Sequence, residues 1–195
     1  AASTGWRELG GKLRLLLVLS TAGQFGLAIF EGMFALYAQE RMGYGPVQVG
    51  AVFTVCGLVM AVFQGVGVGY LSGRVREVAQ IAVGFGLMGA GIALLLVAHR
   101  LPLVLGVVAL LALGMALITP NLAALISTRG GASAGASLGM QNAANSLGQV
   151  GGPLLGGMLF AWRAGSPFML AGAFLVGVGL ILGWRERPRP GLSGA

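Results

Sequence analysis

The chain has 195 residues, of which 56% are hydrophobic and 9% charged, and 12 Lys and Arg against 5 Asp and Glu give a formal charge of +7. So few charges could not cover a water-soluble fold of this size, where about a quarter of residues are charged; a mean hydropathy of +0.89 and 36 glycines point to a polytopic helical membrane protein, whose small residues let backbones approach closely. Long unbroken apolar runs exclude a β-barrel built of short alternating strands, and the basic balance follows from charged membrane loops, with no RNA or DNA motif to suggest nucleic acid.

In chain order, residues 1–12 are small, polar and glycine-containing and read as a cytoplasmic linker. They open without a methionine and carry no charged n-region ahead of a cleavage site, so the chain reads as a piece of something longer. A single transmembrane bundle is expected over residues 13–185, with a cytoplasmic tail at 186–195. Its six apolar spans are predicted at about 13–38, 47–70, 79–98, 102–126, 136–161 and 167–184, each near the roughly 20 residues a bilayer requires. Pro46, Pro102 and Pro167 fall where helices begin, where a missing N–H costs nothing, and Ser166 is the expected N-cap of the last.

Loop charges set the orientation. With residue 1 in the cytoplasm, Arg7, Lys12, Arg14, Arg74, Arg76, Arg129, Arg185, Arg187 and Arg189 lie inside, and only Arg41, Arg100 and Arg163 lie outside. Both termini are then cytoplasmic. Tyr37, Tyr44, Tyr70, Trp162 and Trp184 fall at span ends, as an interfacial aromatic belt requires. The third and sixth spans are nearly free of polar side chains, whereas the other four carry amides, hydroxyls or an acid. Polar groups facing lipid are costly, so the polar spans should be interior and the bland ones peripheral. Two polar spans then a bland one, twice over, predict two inverted three-helix repeats, as in many secondary transporters.

Glu31 is the one ionisable residue well inside a span, about 8 Å from its middle at 1.5 Å per residue. A carboxyl there should face a cavity or a partner, which makes it a candidate for proton coupling or cation binding. The structural alternative is a glutamate that locks two helices. Thr21, Gln24 and Ala28 precede it on the same helical face. In the fourth span Thr119-Pro120-Asn121 should break the helix and expose polar backbone. In the fifth, Asn142, Asn145 and Gln149 share one side, and Gly148, Gly152 and Gly156 form a small-residue strip beside them, with Pro153 between. The strip should pack against a helix. The amides either face a cavity or bond across helices.

Other motif matches carry no chemistry. Gly84-Phe-Gly86-Leu-Met-Gly89 fits a dinucleotide fingerprint but lies inside a span, with no acid between Glu77 and Glu186. Gly135-Ala-Ser137-Leu-Gly139 fits a serine nucleophile, yet the single histidine, His99, is expected at the opposite membrane face. One histidine, one cysteine (Cys56) and scattered glutamates cannot make a metal site, and no phosphate loop is present. No enzyme activity is expected.

Gly139, Gly148, Gly152, Pro153, Gly156 and Gly157 reproduce the glycine-proline spacing of drug:proton antiporters in the major facilitator superfamily. The run from Glu31 to Gln39 followed by Gly43–Gly50 looks like their seventh helix and the loop after it, and Gly114–Asn121 looks like the tenth. The chain therefore resembles the C-terminal six-helix half of such a transporter. Its loop Gly69-Tyr-Leu-Ser-Gly73-Arg74-Val-Arg76-Glu77 resembles the family's cytoplasmic gate, with Gly69, Arg74 and Arg76 as gate residues, but Gly73 replaces an aspartate, Arg76 a glycine and Glu77 an arginine.

The resemblance implies an all-α membrane protein, half of a twelve-helix fold, that exports small organic molecules by alternating access in a bacterial cytoplasmic membrane. The proton gradient would be the energy source, with no cofactor. Its partners would be the lipid bilayer, the small-molecule substrate and a missing N-terminal six-helix half or a second copy. Glu31 would couple protons, and Gln24, Thr119, Asn121, Asn142, Asn145 and Gln149 are candidates for the substrate cavity. The alternative is a non-transporting membrane module, a regulatory or assembly subunit built from such a half.

Overall fold

The computed structural model describes the backbone of residues 2–67, 75–130 and 134–186. Six helices account for nearly all of it: α1 (Ala2–Met42), α2 (Pro46–Val62), α3 (Glu77–Leu94), α4 (Leu101–Gly130), α5 (Ala134–Trp162) and α6 (Ser166–Glu186). A short π-helical stretch, Phe63–Gly67, continues α2. No strand occurs among the described residues.

Five of the helices are long and apolar enough to cross a membrane: Leu13–Met42 within α1, Pro46–Gly65, α3, Leu101–Arg129 within α4, and Ser166–Arg185 within α6. At 29 residues α5 has the length to span a bilayer. Its amides and glycines dilute its apolar content, so it falls outside that group. Many large apolar side chains point outward, among them Val18, Leu58, Leu147, Val150 and Leu180. In water such a surface would aggregate; against acyl chains it is the expected one.

The termini of the elements differ from the sequence expectations. The predicted linker at 1–12 is helical from Ala2. No proline interrupts it, and adding a residue to a formed helix needs no new nucleus. The third span ends at Leu94 rather than 98, in a turn whose N–H groups at Leu96 and Val97 reach back three residues. Between α1 and α2 the chain reverses at Gly43, whose φ of +68° is the left-handed conformation that favours glycine. Gln48 then reaches back to the Gly45 N–H at 3.0 Å and closes the start of α2. Tyr44 donates to the His99 carbonyl at 3.2 Å, tying this turn to the one before α4. Burial pushes its phenol pKa up, so it stays a donor.

The helices pair as α1 with α5, α3 with both α4 and α6, and α2 with α4. Glycines set these contacts. A Cβ on Gly89 would stand 2.8 Å from the Gly172 carbonyl of α6, and one on Gly179 would stand 2.9 Å from the Ala82 carbonyl of α3. Likewise one on Gly84 would meet the Gly114 carbonyl of α4 at 2.7 Å. Backbone therefore lies on backbone along α3. The bland helices α3 and α6 are thus packed on neighbours within this bundle, though less fully than the polar α1 and α4, whose apolar windows are each 56% buried. Half of the apolar window of α3 is buried and 44% of that of α6, against 11% for α2. Glycines at the contacts let these helices approach closely.

Aromatic rings knit the first two helices together: Phe30, Phe34 and Phe53 form a triangle with centroids 5.1 to 5.9 Å apart. Tyr37 packs on Phe168 of α6 at 4.9 Å. Trp162 and Trp184 stand exposed near helix ends, where an interfacial belt would lie.

Candidate functional site

The contact between α1 and α5 is built on three glycines of the fifth span, Gly148, Gly152 and Gly156, each at or inside van der Waals limits. A Cβ added at Gly148 would meet the Thr21 carbonyl at 2.6 Å, and one at Gly152 would meet the Ala28 Cβ at 2.8 Å. One at Gly156 would meet Met33 at 3.0 Å. The fit is reciprocal, because Gly32 of α1 leaves room for the Pro153 ring, 3.3 Å from where its own Cβ would be. Pro153 lies inside a continuous helix.

Polar groups close the same seam. The Ser20 hydroxyl donates to Asn145 Oδ1 at 2.8 Å and accepts from Gln141 Nε2 at 3.1 Å. Thr21 Oγ1 is 2.9 Å from the Ala144 carbonyl across the seam and 3.1 Å from its own Leu17 carbonyl. Ser20 and Gln141 are buried, so these bonds replace water that the site lacks. Asn145 is thereby tied into the packing seam, although it stays half-buried at the rim.

Asn121 is also committed to packing. It is buried, donates to Gln80 Oε1 of α3 at 3.1 Å and to the Leu117 carbonyl at 2.7 Å. Gln80 in turn donates to the Val75 carbonyl at 2.8 Å, just before α3. Of the two hydrogen bonds its amide donates, one joins α4 to α3 and the other stays within α4. The predicted break at Pro120 is corrected, since α4 runs unbroken through it. The helix continues although Pro120 has no N–H to donate, and the flanking turns are packed on α3.

The remaining candidates stay open. Glu31, Asn142 and Gln149 are exposed, and Gln24 and Thr119 are half-buried. Glu31 is the residue before Gly32 and so stands beside the Pro153 seam. Gln149 follows Gly148, whose contact is with Thr21, Gln24 and Phe25. An exposed carboxylate and exposed amides on an otherwise apolar bundle would be costly in lipid, so this side of α1 and α5 must meet water or protein. Of the gate residues, Gly69 and Arg74 lie outside the described residues. Arg76 is exposed, and its carbonyl accepts the Gln80 N–H at 3.1 Å. Ser166 reaches backward: its hydroxyl lies 2.6 Å from the Leu159 carbonyl and 2.7 Å from that of Arg163, closing the end of α5.

Sequence reasoning named neither Ser20, Gln141 nor Gln80 as a site residue. A signal for Gln141 existed, because it lies seven residues before Gly148 and so falls on the packing strip rather than beside it. Among the described residues no three His, Cys, Asp or Glu side chains gather to hold a metal.

Residues 15–195 match the family model described as Major Facilitator Superfamily. The chain is 33% identical over 165 residues to Multidrug resistance protein 2 of Bacillus subtilis (strain 168), covering 84% of this chain and 41% of that protein. It is 33% identical over 154 residues to the class E Tetracycline resistance protein of Escherichia coli, covering 78% of this chain and 37% of that one. To the Quinolone resistance protein NorA of Staphylococcus aureus it is 27% identical over 181 residues, 91% of this chain and 45% of the relative. The chain thus spans less than half the length of the curated relatives it matches.

Proposed function

The chain belongs to the Major Facilitator Superfamily, a family of transporters rather than enzymes, and from that premise we propose that it is one six-helix part of a secondary transporter that exports small organic compounds in exchange for protons. The observation that carries this reading is Glu31: a carboxyl inside an apolar span, exposed beside the tightly packed α1–α5 seam. Such a group can take a proton from one side of the membrane and release it to the other as access alternates. Exposed Asn142 and Gln149, with half-buried Gln24 and Thr119, line the same cavity in this account and contact the substrate. The names of the relatives concern resistance to several drugs, to tetracycline and to quinolones, which supports organic antimicrobials as the substrate class.

The bundle is proposed to be two inverted three-helix repeats. The pairing supports this: α1 lies on α5 and α4 on α2, the same pairing with the triplets exchanged, while α3 lies on α6. The polar side of α1 and α5 is proposed to face a second six-helix bundle, in the same reading frame or as another copy. Relatives more than twice as long support that arrangement. The excess of loop arginines supports both ends of this segment lying inside, and the bacterial relatives support a bacterial cytoplasmic membrane.

The test is transport by the full-length protein in proteoliposomes, with a fluorescent organic cation as probe. An imposed pH gradient should drive the dye against the proton flow, and collapsing the gradient with a protonophore should stop it. Dye movement that ignores the gradient would contradict proton coupling. No movement at all would favour the non-transporting module.

A further inference from the structure

At the end of the bundle where α1, α3 and α5 finish and α6 begins, a cleft of about 470 Å³ opens to the outside. Its polar wall carries Tyr37, Glu40, Arg41 and Arg163, and its apolar wall carries Leu96 and Met169. Two guanidiniums and one carboxylate leave the cleft a net charge of +1. Arg41 lies near the Tyr37 phenol at the base of the cleft. The Arg163 guanidinium has no partner among the described residues, while its backbone is held by Leu159 and Ser166. Two planar guanidiniums lining one cleft, each with five donors, are suited to an oxyanion. The positive end of the 21-residue α6 adds to the same field.

Position selects among oxyanions. Trp162, adjacent to Arg163, is exposed at the level where an interfacial tryptophan sits. Met169 is 54% exposed, so the apolar wall opens sideways toward lipid. We propose that this cleft binds a phosphate monoanion at the membrane surface, with the phosphodiester of an anionic lipid headgroup as its occupant: the phosphate lies between Arg41 and Arg163, and the glycerol backbone lies on Leu96 and Met169. Soluble phosphate offers the same chemistry without the apolar anchor. The site is separate from the transport face on α1 and α5.

Native mass spectrometry of the full-length protein, with phosphatidylglycerol, phosphatidylethanolamine or inorganic phosphate added singly, tests this. The wild type should retain phosphatidylglycerol over phosphatidylethanolamine. Arg41→Gln and Arg163→Gln should each lower retention about 5-fold. Glu40→Gln should raise it, a gain that misfolding cannot imitate. Arg100→Gln, at an exposed turn residue outside the cleft, should change nothing. Arginine-dependent binding of inorganic phosphate with equal retention of both lipids would keep the anion site but overturn the lipid as its occupant. Unchanged retention in the Arg41→Gln/Arg163→Gln double variant, or equal loss in Arg100→Gln, would overturn the site.

Discussion

A polar side chain in an apolar bundle must find a partner or meet a cavity, and the amides of this chain divide on that rule. Asn121 and Gln141 are buried and bonded to Gln80 and Ser20; Asn142 and Gln149 are exposed. The division makes opposite predictions for the same substitution. Asn121→Ala should lower thermal stability in detergent, by about 0.6 to 1.7 kcal/mol for an interhelical bond in a membrane protein. Asn142→Ala should leave stability unchanged and weaken substrate transport in the full-length protein. Equal stability of the two variants would contradict the division. Glu31 could be read from the sequence because it is alone: no other Asp, Glu, Lys, Arg or His lies deep in a span. The commitment of Asn121 could not, since its partner is 41 residues away and no local pattern pairs them.

At the scale of the helix, glycine spacing is the most legible feature, and it is informative only where the period is strict. The strip Gly148, Gly152 and Gly156 announces a close contact through its four-residue period, and the structure puts α1 against it. The glycines of α3 and α6 carry no such strict period. Gly89 meeting Gly172 and Gly179 meeting Ala82 depend on which helices become neighbours, which is a property of topology. The lack of polar groups in α3 and α6 therefore does not reveal these contacts, which bury about half of each apolar window. Gly152→Leu should force α1 and α5 apart, because even a Cβ there stands 2.8 Å from Ala28 and 2.9 Å from the Phe25 carbonyl. The expected loss is about 3 kcal/mol or more, beyond ordinary overpacking because backbone must move. A thermal melt matching wild type would contradict the seam. Gly157→Leu, with open space around it, is the control.

For the whole molecule, composition sufficed for the membrane class, and six apolar runs sufficed for six helices, because the bilayer fixes span length and forbids unpaired backbone. The order of packing was not legible, since glycine contacts and a chance meeting of side chains decide it. The polar side of α1 and α5 acquires a purpose only within a larger assembly, where the relatives' greater length supports a second bundle. In that account Glu31 is the group through which a proton gradient does work on an organic substrate, and Glu31→Gln tests it most directly. In proteoliposomes of the full-length protein, the variant should insert and fold as wild type does, still bind the probe dye, and lose all dependence of dye transport on the imposed pH gradient. A variant whose transport follows the gradient as wild type does would contradict the assignment.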